Sequence, residues 1–159
     1  MTKLKTGWIA ALAVLVSAGS LAAHHSLTNY DTSTAVRVKG AVVQFQQINP
    51  HSFLFVEGVG PDGQARRWAI EGPSVLQLNR RSYGQEALKP GSMVEVCGYL
   101  PKETITWQIT SPDPGAVSLA GRLINAEVLT MPDGKQQSWG DYGVHKCFAA
   151  GFTDQHTAK

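Results

Sequence analysis

The chain has 159 residues, with 14 Lys and Arg against 12 Asp and Glu, and only two cysteines. A net charge of +2 supplies little basic surface to neutralise phosphates, which argues against a nucleic-acid binder. The length allows one modest core and no second large domain.

The first residues carry Lys3 and Lys5 and no acid. An apolar run from Trp8 to Val16 follows, then small residues from Ser17 to Ala23 around Leu21. A basic start, a short apolar stretch and a small-residue end are the parts of a secretory leader. A bilayer span needs about 20 apolar residues, so the run is read as a leader over residues 1–23, cleaved on export to the periplasm or beyond. No Cys lies near the cleavage point, so no lipid anchor is expected and the mature chain has no stable membrane attachment. Losing Lys3 and Lys5 lowers the 14 basic residues to 12, against 12 acids, so the mature protein is formally neutral.

Residues 24–34, beginning His24-His25-Ser26, are polar and irregular and read as an arm. Ala35 to Ile48 alternates like a strand but changes phase. Val36 and Val38 share one face, whereas Val43 and Phe45 lie on the other. The change is assigned to Gly40-Ala41-Val42, where a glycine allows a bulge or bend. Asn49-Pro50-His51 breaks the strand, because proline lacks an N–H and restricts its predecessor. Ser52 to Val59 is a second strand, Pro61-Asp62-Gly63 a turn and Arg66 to Glu71 a third strand.

Pro73 to Arg81 has the pattern of a short helix with proline in its first turn. After the Leu88-Lys89-Pro90-Gly91 turn, Ser92 to Leu100 is a fourth strand. A polar connection over residues 101–117 leads to a fifth strand, Ser118 to Thr130, and Pro132-Asp133-Gly134 is a further turn. The expected architecture is all-β: a five-stranded, OB-like Greek-key barrel over residues 35–131 with one short helix, and a C-terminal tail over 132–159. Another small β sandwich or roll is the alternative.

Cys97 and Cys147 are too far apart for a C-x-x-C redox or zinc motif. Cys97 shares the more polar strand face with Glu95, where a C-terminal segment carrying Cys147 can reach it. Export favours a disulfide between them over two free thiols.

Several local sequences resemble a family of small exported bacterial proteins that is known only as a domain of unknown function. They are Ala23-His24-His25-Ser26, Gly40, Asn49-Pro50-His51, Trp68-Ala69-Ile70-Glu71, Leu88-Lys89-Pro90-Gly91 and Pro132-Asp133-Gly134. The resemblance runs from about Ala23 to about Gly134 and implies a periplasmic OB-like domain with no assigned activity. Two features depart from it. Leu21 stands where the family has a small residue, and the connection and tail are longer.

Three histidines carry the chemistry that the sequence offers. If cleavage follows Ala23, His24 becomes the first residue. Its amine and ring nitrogen can then chelate a metal, with His51 as a second imidazole. Such a histidine brace suits copper(II). If cleavage follows Ala22, His25 becomes the third residue and completes a loose terminal chelate through its ring and the preceding amides. The plainer reading has solvated histidines and a turn at Asn49-Pro50-His51. Paired carboxylates, a nucleophile elbow and a phosphate loop are all missing from the sequence, which favours binding over catalysis. A metal-free OB-type module is the competing function. It would hold a peptide, a saccharide or an envelope protein through Phe53, Phe55, Trp68 or the loop around Trp107.

Overall fold

Where apolar and polar side chains alternate along a strand, one face is sent into the core. The computed structural model describes residues 26–81, 85–102, 122–140 and 146–147. Six strands form among them: β1 (Val36–Gln46), β2 (Phe53–Val59), β3 (Ala65–Glu71), β4 (Met93–Tyr99), β5 (Leu123–Thr130) and β6 (Gln136–Ser138). Their order in the sheet is β3-β2-β1-β4-β5-β6, and β3 also pairs with β5. That second pairing is parallel and joins Ala69, Ile70 and Glu71 to Leu123, Ile124 and Asn125. It closes five strands into a barrel with OB-like connectivity, the expected class.

The interior holds Val38, Leu54, Val56, Ile70, Val96, Ile124 and Leu129, all with no exposed surface. Burying each such side chain stabilises the fold by roughly 1.5–3 kcal/mol. The short helix α1 (Val75–Arg81) sends the fully buried Leu78 into the same core. Ser74 starts α1 with a reciprocal cap. The Gln77 N–H donates to Ser74 Oγ at 3.3 Å, and the Ser74 N–H donates to Gln77 Oε1 at 2.9 Å.

The phase change in β1 is a real irregularity, but it lies further along than Gly40-Ala41-Val42. The β1–β2 register shifts between Val42 and Gln44. Val42 and Phe45 therefore both pack on the barrel core, while Val43 turns to the outer face. Gly40 serves another purpose. A Cβ there would stand 2.1 Å from the Glu57 carbonyl oxygen, and one on Gly58 would stand 2.4 Å from that of Lys39. The two glycines let β1 and β2 approach where any side chain would collide.

The sheet also continues into the expected tail. Pro132-Asp133-Gly134 turns β5 into β6, with Gly134 at a φ of +83° that favours glycine. Inside this turn the Lys135 ammonium lies 2.9 Å from Asp133 Oδ2 and the Lys135 N–H donates to Asp133 Oδ1 at 3.0 Å; the ammonium first, and then the N–H, hold the Asp133 carboxyl below its usual range. β5 begins at Leu123, and residues 118–121 of the expected strand lie outside the described residues.

The outer face carries a second cluster of Tyr30, Phe55, Ala69, Tyr99 and Leu123, against which Leu27, Ala35, Val43 and Phe53 pack. Tyr30 and Leu27 come from the arm. The arm is therefore part of the packed structure. Cys97 and Cys147 are bonded, with their Cα atoms 5.8 Å apart, and both are buried beside Val128.

Candidate functional site

The loop from Asn49 to Ser52 is held at its far end by a serine. Ser52 has no exposed surface. Its Oγ and N–H both donate to the Pro73 carbonyl, at 2.6 and 3.1 Å, and its own carbonyl accepts from the Gly72 N–H at 2.9 Å. These bonds tie the loop to the residues that follow β3. They set His51 beside Glu71, the last residue of β3, with His51 Nδ1 3.5 Å from Glu71 Oε1. The Asn49–Pro50 peptide bond in this loop is cis.

Period-two alternation in β3 sends Trp68 and Ile70 inward and Glu71 to the outer face with Ala69. Yet Glu71 is only 6% exposed. The arm explains the difference. Tyr30, itself 1% exposed, donates its hydroxyl to Glu71 Oε2. Burial, followed by the Glu71 charge and this hydrogen bond, pushes the Tyr30 hydroxyl far above its ordinary range. It is therefore a neutral donor, and one carboxylate joins the arm through Oε2 to His51 through Oε1.

The arm is fastened at several further points. The Asp31 N–H donates to the Leu100 carbonyl at 2.9 Å, and the Lys102 N–H donates to the Asn29 carbonyl at 2.9 Å. Lys102 Nζ reaches the Thr28 carbonyl at 2.8 Å. Lys146, next to the disulfide, donates through Nζ to the carbonyls of Thr32 and, at 2.8 Å, Ser33. The Ser33 N–H closes a turn onto Asp31 Oδ1 at 2.9 Å, and the Ser33 hydroxyl together with this N–H lowers the Asp31 carboxyl.

His51 Nδ1 faces Glu71, which leaves Nε2 as the ring nitrogen open to a metal. The His51 side chain is 37% exposed. A carboxylate behind Nδ1 is the usual outer partner of a ligating histidine, since it orients the ring and raises its basicity. Among the described residues, no group of three or more His, Cys, Asp and Glu gathers as metal ligands. His51 would need donors from the chain before Ser26, and His24 and His25 lie outside the described residues. The 3-10 turn Ser26–Asn29 brings Leu27 into the outer cluster with Phe53, two residues after His51. His24 is three residues before Leu27, a tether of about 10 Å at full extension.

The aromatic residues expected to bind a ligand fare differently. Trp68 is 2% exposed and belongs to the barrel core. Its Nε1 donates to the Gly58 carbonyl at 3.2 Å, and the Arg66 guanidinium lies 5.5 Å from its ring centre. It is not a surface stacking platform, because the alternation that makes β3 a strand turns Trp68 inward. Phe55 is buried beneath the arm, and Phe53 is half-buried there. Trp107 lies outside the described residues. Sequence reasoning missed Tyr30 and Glu71. Their only traces were a lone aromatic in a polar arm and an acid at the end of a strand.

An OB-like barrel with an arm docked over its outer face, joined through Glu71 to a partly exposed histidine, defines the class. The chain belongs to DUF6152, a family of unknown function, whose profile matches residues 11–110. That span contains the arm, His51 and Glu71, while β5, β6 and Cys147 lie beyond it. Comparison with curated proteins and with solved structures finds no match.

Proposed function

We propose that the protein is exported and binds copper(II) through the amine and ring of His24 together with His51 Nε2, as a carrier, store or sensor of the metal. The observation that carries this reading is the Tyr30–Glu71–His51 connection, which ties the root of the arm to the carboxylate behind His51. The donor set fits the metal. An amine and two imidazoles form a nitrogen-rich site of the kind copper(II) prefers. Bound copper would supply a redox-active, Lewis-acidic centre. The protein would supply the orientation, with Glu71 fixing the His51 ring and the arm delivering His24.

Export is supported by the leader-like N-terminus and by the Cys97–Cys147 bridge, since such bonds persist in oxidising compartments. Intact mass of the exported protein tests the first requirement. The expected mature chain begins at His24. A chain beginning at Ala23 would move chelation to His25 and overturn the brace. On the chain beginning at His24, Glu71→Gln is expected to weaken copper affinity ten- to a hundredfold, the usual loss when an outer partner is removed. Competition titration against a chelator of known affinity measures it. An unchanged affinity would remove Glu71 from the site.

A further inference from the structure

Away from His51, towards the β2–β3 turn, the outer face of β1, β2 and β3 opens into a groove of about 520 Å³. That volume falls within the roughly 300–1,000 Å³ of small-molecule clefts. Its base is bare backbone, because Gly40 and Gly58 pack together and neither carries a side chain. Ala41, Val59, Ala65 and Met93 add an aliphatic lining. Val59 and Met93 are 50% and 51% exposed, so the groove holds two of the four most exposed large apolar side chains among the described residues.

Charge at the groove is uneven in a specific way. Arg67 is held by Glu57 at 2.9 Å, Arg66 by Asp62, and Arg37, on the neighbouring stretch of β1, by Glu95 at 3.7 Å. Four cations therefore face three carboxylates, and the cation left over is Lys39, which makes no ion pair among the described residues. Lys39 lies in register between Val59 on β2 and Glu95 on β4, at the edge of the apolar lining.

We propose that this groove binds an apolar carboxylate, a molecule with an aliphatic body and one anionic end. The body would cover the Gly40–Gly58 base between Val59 and Met93, and the anion would meet Lys39. Apolar contact supplies most of the attraction, and the unpaired ammonium selects the sign of the head group. The site stands apart from the proposed copper site, at the other end of the β2–β3 hairpin, and does not depend on it.

The test uses the mature, disulfide-bonded protein and dodecanoate below its micelle concentration. Calorimetry is expected to show saturable one-to-one binding. NMR is expected to place the shifted amides at Lys39, Gly40, Ala41, Gly58 and Val59. Dodecyltrimethylammonium shares the tail and acetate shares the head group, and neither is expected to bind there. Lys39→Glu is expected to weaken dodecanoate binding at least tenfold. Lys39→Met, which keeps the aliphatic stem, serves if the charge reversal disturbs folding. Equal binding of the cationic amphiphile, shifts confined to another surface, or unchanged affinity in both Lys39 variants would each overturn the proposal.

Discussion

At Glu71 one carboxylate answers to two segments distant in sequence, Tyr30 on the arm and His51 on the β1–β2 loop. Tyr30→Phe keeps the ring that packs with Phe55 and Tyr99 but removes the donor. A buried carboxylate that loses its partner costs about 1–3 kcal/mol, which urea unfolding would measure. The same contact sets a pH limit. Below the ordinary tyrosine value of about 10, folded and unfolded chains both keep the Tyr30 proton, and its contribution is complete. Above that value the unfolded chain releases the proton first, because the folded-state hydroxyl is raised. The folded state then binds more protons, so stability falls as pH rises. Burial also raises the Tyr99 hydroxyl, so tyrosinate absorbance is read by difference: the step that accompanies unfolding is expected to be smaller by one tyrosine in Tyr30→Phe than in wild type. A Tyr30 titration near its ordinary value in the folded protein would remove the contact. Little of this was legible from sequence. A glutamate at the end of an alternating strand reads as solvent-facing, and only the return of the arm across the face buries it.

Elements were easier to read where burial is one-sided. β1 to β5 follow the alternation of Val, Phe, Trp and Ile, and α1 follows the pattern read over Pro73 to Arg81, although it starts two residues later, at Val75. β6 escaped because Gln136, Gln137 and Ser138 show no alternation and rely on pairing with β5. The docking of the arm escaped because its polar residues bind through backbone groups to Leu100, Lys102 and Lys146, a long-range arrangement with no local pattern. The Lys146 contact makes a testable link. The bridge of Cys147 to Cys97 places Lys146 where it grips Thr32 and Ser33. Replacing both cysteines with serine is expected to cost roughly 2–4 kcal/mol of global stability. Amide exchange at Asp31 and Ser33 is expected to speed up by more than that global loss explains. Lys146→Ala, with the bridge intact, is expected to reproduce the local change without the global one. Exchange in the arm that simply tracks global stability would show that the clip is unimportant. Gly40→Ala is a sharper test of the barrel. Its Cβ would meet the Glu57 carbonyl at 2.1 Å, and the overpacking is expected to cost about 1–3 kcal/mol, read from the thermal midpoint.

For the whole molecule, the closed barrel presents two separate surfaces, the arm with His51 and the groove with Lys39. The order of elements foretold the OB-like class. The identity of the site was legible only in part. His51 could be singled out because Pro50 breaks a strand beside it, but nothing local shows that the arm and Glu71 converge on it. The central claim is that the barrel, through His51, shares a copper ion with the N-terminus. EPR of copper(II) loaded at one equivalent onto the protein beginning at His24 tests it most directly, with wild type compared against His51→Ala. Loss of the His51 imidazole is expected to change the spectrum and weaken binding. Identical spectra and affinities would mean that copper sits on the terminal residues alone, and that the fold has no part in the site.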